Sequence, residues 1–411
     1  MIDLFSRAVL QAQAKEEGAA LPAWKAAQAI GSAAVLDAIL NAGLSGKGGA
    51  NFPTHRKLAL MIEQPGPEKH LVVNGGEHEP GSSKDQFLLE RYPDTVIEGA
   101  LIIADLVRAT SIRIAVKEGA EQAISAMHGA INRAKQLLGG AAPVIVLDPI
   151  PDSYLVGEES ALIASLDGER AVPRQRPPFP IVSGLRSQPT LVHNVETVAH
   201  VPFIVLAGAD RYRCLGEGTA GVTLCTFGPE FANPGVRLVS LGISLREVVT
   251  QYGGGLRSGA AFKAVQPGGP GTGILSEAEL DVRFDDASLK QAGSALGCGA
   301  IRALSTEDDI VPFIVDIANF FSANSCGQCP PCRMETQMLA RILVQVASGK
   351  GSAKLLDQIP VVIENAAKKP AFCFLVKMPV PPITSALAKF SGEFAAYLAP
   401  ASEVRQSSLP A

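Results

Sequence analysis

The sequence predicts an α/β fold that changes style twice along the chain. Parallel α/β units come first, a small α+β unit follows, and a helical end closes it. Three observations carry this. Short apolar strands at 70–73, 111–116 and 143–147 alternate with helical stretches at 84–109 and 119–139, the pattern of parallel α/β units. From about Gly221, short strands crowd around one helix. From Glu307 onward, long amphipathic helical patterns dominate.

In order, residues 1–45 read as alanine-rich helix, and Gly46 through Pro53 breaks all regular structure. The strand at 70–73 ends in Asn74-Gly75-Gly76. The segment 173–189, rich in Pro, Arg and Ser, reads as loop. Beyond it, 222–227, 237–239, 262–265 and 278–282 read as strands around a helix at 245–252. A cysteine-bearing loop interrupts the helical end after Phe320-Phe321. The last ten residues, small and Ser-rich, read as disordered.

A chain of 411 residues exceeds one ordinary core, so about two to four domains are expected. A net charge of −4 gives no basic footprint for nucleic acid. The N-terminus shows no secretory pattern, and no apolar run is long enough to cross a bilayer. A reducing, cytoplasmic setting without membrane insertion is expected. The weakly charged, alanine-rich composition suits burial in a larger assembly.

The strongest chemical signal is Ser325-Cys326-Gly327-Gln328-Cys329-Pro330-Pro331-Cys332-Arg333, with Cys373 well downstream. Three thiols at this even spacing cannot all pair with one another. They can take three corners of a cube, with Cys373 closing the fourth, as a [4Fe–4S] cluster demands. Zinc is the competitor, but its sites normally use two separated pairs. Cys214, Cys225 and Cys298 are scattered singly and read as buried core thiols.

Five weaker motifs lie upstream. Gly43 through Ala50 is a glycine-rich loop with Lys47, able to bring backbone N–H groups to an anion. Asn74 through Gly81 follows a strand, where cofactors bind in open α/β sheets. Gly157-Glu158-Glu159 opens a helix, and Arg176-Pro177-Pro178-Phe179-Pro180 is a rigid loop offering one cation and one ring. His193-Asn194-Val195-Glu196-Thr197 enters another helix. Each alone is ordinary as loop, cap or turn.

Together and in this order, they resemble the NADH-binding flavoprotein subunit of respiratory complex I. They also resemble the matching subunits of soluble NAD-linked hydrogenases and formate dehydrogenases. The likeness runs from about Val35 to about Leu398. The family's G-R-G-G-x-G-F-P-T-G-x-K is matched by Gly46 through Lys57, its N-A-D-E-x-E-P-G by Asn74 through Gly81, and its G-E-E-T-A-L by Gly157 through Leu162. Its K-P-P-F-P is matched by Arg176 through Pro180, its N-N-V-E-T by His193 through Thr197, and its S-C-G-x-C-x-P-C-R by Ser325 through Arg333.

The resemblance implies a helical segment and flavin loop (1–54) and a Rossmann-like flavin/NADH domain (55–218). A ubiquitin-like, β-grasp α+β domain (219–306) and a helical bundle with the cluster (307–411) would follow. It implies flavin contacts from Gly46, Lys47, Gly48, Lys57, Asn74, Glu77, Gly157, Glu158, Asn194 and Thr197. NADH would meet Phe52, Glu79, Glu159, Arg176 and Phe179, with Glu159 holding the nicotinamide amide. Cys326, Cys329, Cys332 and Cys373 would hold the cluster. Hydride would pass between NAD(H) and flavin, and single electrons would pass through the cluster to a partner.

The implied partners are an iron–sulfur electron-transfer subunit and a catalytic oxidoreductase subunit acting on formate, hydrogen, an aldehyde or a 2-oxoacid. The chain departs from the family pattern at Lys47, Asn51, His55, Gly76, Arg176 and His193. These departures leave FMN against FAD, and NADH against NADPH, open. They also leave a second reading: a flavin-poor subunit that only wires clusters or assembles partners.

Overall fold

Apolar runs make buried strands, and the two central strands of the first sheet, His70–Gly75 and Ser111–Lys117, are of this kind, while the edge strand Val144–Ile150 is more open to solvent. In a computed structural model, which describes residues 3–14, 20–139, 143–218 and 221–398, β1 (His70–Gly75), β2 (Ser111–Lys117), β3 (Val144–Ile150) and β4 (Thr190–Asn194) form one sheet in the order β3-β2-β1-β4. Every pairing in it is parallel, so both faces must be covered. The helix Pro93–Val107, apolar nearly all round, and the helix Val195–Ala207 fill one face. They pack so closely at Gly99 that a Cβ there would lie 2.2 Å from the Val198 carbonyl oxygen. A smaller apolar group, including Val72, Ile150, Val156 and Val192, covers the opposite face.

The strand order places a switch point between β1 and β4. The chain leaves β1 toward β2 on one side, while β4 lies on the other, and the carboxyl ends of both strands open onto the crevice between them. Ligands in open α/β sheets bind there. Asn74 and Asn194 face each other in register at that edge.

The second sheet is mixed, in the order β6-β5-β9-β7-β8. It comprises β5 (Val222–Phe227), β6 (Gly235–Ser240), β7 (Phe262–Gln266), β8 (Leu275–Ser276) and β9 (Ala300–Ser305). β5 and β9 run parallel, and the other pairs are antiparallel. The helical end follows, chiefly Ile310–Ala323, Pro330–Ala347, Gln358–Ala367 and Val380–Lys389. It has its own apolar core around Ile314, Phe321, Leu339, Leu343 and Ile383.

Several elements differ from the sequence expectation. The helix expected over 84–109 is two, Lys84–Arg91 and Pro93–Val107, because proline lacks the N–H that would continue the first helix but suits the start of the second. The loop expected through 189 gives way at once to β4, whose five residues are too few to show a period. The strand expected over 278–282 is a turn, closed by a capping box between Ser276 and Glu279. The strand positions go instead to β8 and β9, neither of which was expected. The helix over 245–252 starts as α and continues as a π turn. The expected N-terminal helix is three helices, Arg7–Ala14, Pro22–Ile30 and Ser32–Ala42. The expected disorder of the last ten residues lies outside the described residues.

Candidate functional site

Two places gather the residues that the motifs marked. The first is the crevice between β1 and β4. The glycine loop folds over the carboxyl end of β4, where the Lys47 backbone N–H donates to Thr197 Oγ1 at 2.9 Å. A Cβ on Gly48 would stand 3.2 Å from Asn194 Cβ, so any larger residue there would crowd Asn194. Asn51 holds a left-handed backbone, φ 51°, at a position where the resembled family has glycine. Asparagine tolerates that region better than other side chains. Its Oδ1 accepts from the Ser45 hydroxyl.

Asn194 caps the helix Val195–Ala207, its Oδ1 accepting the Glu196 N–H at 2.9 Å. Its Nδ2 donates to the Asn74 carbonyl at 3.4 Å and to Asp85 at 2.7 Å. Asn74 Nδ2 in turn donates to the Gly157 carbonyl at 3.2 Å. Lys57 Nζ reaches Glu159 Oε1 at 2.8 Å and the Val192 carbonyl at 2.7 Å. The loop, the strand end and both turns therefore enclose one crevice.

Both of the expected flavin carboxylates are occupied by protein. Glu77 caps the helix Lys84–Arg91, accepting from the backbone N–H groups of Lys84 (2.9 Å), Asp85 (3.0 Å) and Gln86 (3.1 Å). Glu158 caps the helix Glu159–Leu166, accepting from Ser160 N at 3.0 Å and Ala161 N at 2.9 Å. Glu158 also takes an ion pair from Arg176. Phe52 and Phe179 are about half exposed at the crevice segments, 47% and 52%, and so keep faces free to stack. Arg176 lies over the Phe179 ring at 5.9 Å.

Burial governs the charges here. It lowers the Lys47 ammonium, with Glu196 pulling the other way. It pushes the Glu79 carboxyl up to about 7 against a hydrogen bond from Tyr154. Burial and the neighbouring Lys57 take His193 down to about 3, so its imidazole is neutral at physiological pH.

Beneath the crevice lies a buried charge network that no single motif announced. Lys84 Nζ pairs with Asp85 at 2.5 Å and with Glu196 at 3.0 Å. Glu196, fully buried, also accepts from Leu224 N at 2.7 Å and Thr223 Oγ1 at 3.1 Å. Burial alone would lower Lys84, but the carboxylates of Asp85, Glu196 and Glu77 hold it well above its ordinary value. Burial would raise Glu196, yet Lys84 and His200 draw it down to about 2. The network ties the start of the helix Lys84–Arg91 to β5. Its sequence signal was Glu196 within the His193–Thr197 motif, at the start of a largely apolar helix.

The second place is the cysteine loop. Cys326, Cys329, Cys332 and Cys373 line one cavity with Leu155, Pro173, Ser325, Ala371, Phe372 and Leu375. Among the described residues no three His, Cys, Asp or Glu side chains gather closely enough for a single metal ion. Four thiols around a shared cavity fit a cluster better than zinc. Cys332 lies in the first turn of the helix Pro330–Ala347, where the N-terminal dipole favours a thiolate, though burial outweighs this and raises the free thiol. Burial pushes the free Cys373 thiol up to about 11. One turn along the same helix, the buried Glu335 carboxyl has an oxygen without a partner, and burial pushes it up to about 8. Of the thiols expected to be core, Cys225 is buried, Cys298 is partly buried, and Cys214 is exposed. Cys214 ends a short surface helix, Ala209–Arg213, which puts it at the boundary with water.

The two places adjoin. The turn Tyr154–Gly157 gives Leu155 to the cluster cavity and the Gly157 carbonyl to Asn74. Tyr154 packs edge-on against Phe320, with centroids 4.8 Å apart. Among the described residues, no helix is long and apolar enough to cross a membrane.

Comparison with known proteins agrees with this geometry. Residues 39–203 match the Nuo51 FMN-binding domain. Residues 313–397 match the NADH-ubiquinone oxidoreductase-F iron-sulfur binding region. The chain is 35% identical to the NADH-quinone oxidoreductase F protein of Buchnera aphidicola, over 88% of this chain and 84% of that one. It is 35% identical to the HndC component of an NADP-reducing hydrogenase of Solidesulfovibrio fructosivorans, over 89% of this chain and 76% of that one. A crystal structure of NAD+-reducing [NiFe]-hydrogenase in the H2-reduced state superposes with a TM-score of 0.86 at 30% identity, covering 93% of this chain and 66% of that one. With the crevice, the four-cysteine cavity and both matched regions in agreement, the chain belongs to the NADH-quinone oxidoreductase F family.

Proposed function

We propose that this chain is the NADH-oxidising flavoprotein component of a larger oxidoreductase, binding FMN in the β1–β4 crevice and one [4Fe–4S] cluster at Cys326, Cys329, Cys332 and Cys373. The observation that carries the reading is the meeting of the two places at the turn Tyr154–Gly157. FMN held in this crevice would supply the exchange between the hydride of NADH and the single electrons of the cluster. Every other contribution is the protein's. Gly46, Lys47 and Gly48, with Asn194 and Thr197, form the backbone cradle. Lys57 sets a positive charge at the crevice. Glu77 and Glu158 act chiefly by fixing helix ends, since their oxygens are already engaged. Phe52 and Phe179 offer stacking faces for the nucleotide, with Arg176, Glu79 and Glu159 as its polar partners.

The expected division into a segment (1–54), a Rossmann-like domain (55–218), a β-grasp domain (219–306) and a cluster-binding bundle (307–411) is part of the proposal. The parallel sheet, the mixed five-stranded sheet and the separate helical core support it. FMN is favoured over FAD by the matched flavin region. One relative is named for reducing NADP, so NADPH stays a second nucleotide to test. Partner subunits, an iron–sulfur carrier and a catalytic oxidoreductase, are supported by the relatives' being subunits of larger enzymes. Free cysteines and the cluster suit a cytoplasmic setting.

Purification under anaerobic conditions, with extraction of flavin and assay of iron and sulfide, tests the cofactor assignment. One FMN and about four iron atoms per chain are expected from the cluster type. A colourless chain with zinc in place of iron contradicts it, and iron without flavin favours the wiring reading.

A further inference from the structure

Each of the four cluster sulfurs has a hydrogen-bond donor. Phe372 N donates to Cys329 Sγ at 3.3 Å, the Ser325 hydroxyl faces Cys332 Sγ at 3.6 Å, and the backbone of Leu375 serves Cys373. Cys326 is served from within the loop, by a side chain that also reaches a second element. Its donor is the Gln328 side chain, whose Nε2 lies 3.5 Å from Cys326 Sγ and 2.9 Å from the Pro173 carbonyl.

An amide nitrogen carries two N–H groups, so one side chain serves both contacts. Pro173 is remote in sequence and belongs to the loop that leads to Arg176 and Phe179. The next residue, Arg174, donates its N–H to Ser160 Oγ at 3.0 Å, and that hydroxyl donates to Glu158 at 2.6 Å. Gln328 is thus fixed at one end by the flavin side and presents its remaining N–H to a cluster ligand. An N–H aimed at a thiolate withdraws charge from it, which favours the reduced, more negative cluster. Anchoring at Pro173 keeps the donor aimed without relying on a free side chain.

We propose that Gln328 is a positioning residue that clamps the cysteine loop to the Pro173 loop and raises the reduction potential of the cluster. The proposal rests on the cluster reading above. The test is a redox titration of the holoprotein followed by the EPR signal of the reduced cluster, in wild type, Q328L and Q328E. Iron and flavin contents are measured alongside. Q328L removes the donor, and Q328E removes it and sets a negative charge beside the thiolate.

Both variants are expected to keep cluster and flavin, with potentials falling in the order wild type, Q328L, Q328E. The expected shift for Q328L is a several-fold change in the oxidised-to-reduced ratio at fixed ambient potential, a tenfold change being about 59 mV for one electron. If Q328L fails to load iron, Q328E, of equal length, carries the comparison. An unchanged potential in a fully loaded variant overturns the proposal, as does loss of the cluster from both. A wild-type chain without a [4Fe–4S] signal instead overturns the parent reading.

Discussion

Replacing Glu196 by glutamine changes one atom's chemistry in the buried network and nothing of its shape. Glu196 carries the charge that faces Lys84 at 3.0 Å, and both side chains are almost wholly enclosed. At an effective dielectric of about 20, unit charges at that distance attract by about 5 kcal/mol. Glutamine keeps an acceptor for Leu224 N and Thr223 Oγ1, so those bonds survive. Asp85, at 2.5 Å from the same ammonium, remains to hold Lys84. Burial has pushed Asp85 up to about 7, and Glu196 contributes to that rise. Removing the glutamate charge lets Asp85 ionise more fully and recover part of the loss. The expected net cost is about 2–4 kcal/mol, toward the lower side of measured costs for breaking buried pairs.

The assay is calorimetry of the holoprotein. A loss of about 3 kcal/mol lowers the transition of a unit of about 200 residues by roughly 6–12 °C. The informative companion is K84M/E196Q, which removes both charges at once. It should cost less than the sum of the two single changes, because neither member is then left buried against an absent partner. An E196Q transition within a degree of wild type, or strict additivity in the double variant, would show that the two charges do not depend on each other.

Two further outcomes follow from the geometry. Glu98 is buried and caps the helix Pro22–Ile30 through the N–H groups of Ala23 and Trp24. Burial nonetheless raises its carboxyl to about 7. The folded state therefore binds the proton more tightly than the unfolded one, so this stability is full below about pH 4.5 and is lost as pH rises toward 7. E98Q should flatten that decline in a series of melting temperatures against pH, and an unchanged slope would place the proton elsewhere. At the crevice, F179A should raise the KM for NADH about tenfold, the order expected from losing one aromatic stacking partner of a base. It should leave the rate of flavin reduction at saturation nearly unchanged, and stopped-flow reduction measures both.

The legible and illegible parts of this chain divide by the range of the interactions involved. The cysteine loop announces its chemistry because three ligands fall within a few residues of one another. The alternation of the first three strands with helices is likewise local. β4 was not legible, since five residues ending in His193-Asn194 carry no period and are made a strand only by pairing with β1. The strand expected over 278–282 failed for the converse reason, as the Ser276–Glu279 box closes a turn within four residues. Glu77 and Glu158 were legible as acidic groups at the right place. Their partners, three backbone N–H groups of one helix and Arg176 with a second, exist only in the folded chain. Gln328 sits inside the most legible motif of all. Its significance depends on Pro173, which nothing in the sequence brings near it.

In the proposed path, electrons enter at the crevice and leave through the cysteine cavity. An anaerobic titration of the purified chain with NADH, followed by absorbance and EPR together, puts that path to the test in one experiment. The flavin band should bleach, and a reduced [4Fe–4S] signal should then grow to about one spin per chain, as expected for one cluster taking one electron. In C329S the signal should be absent while bleaching persists. A bleached flavin with a cluster that NADH never reduces, or a cluster signal in C329S, would contradict the path.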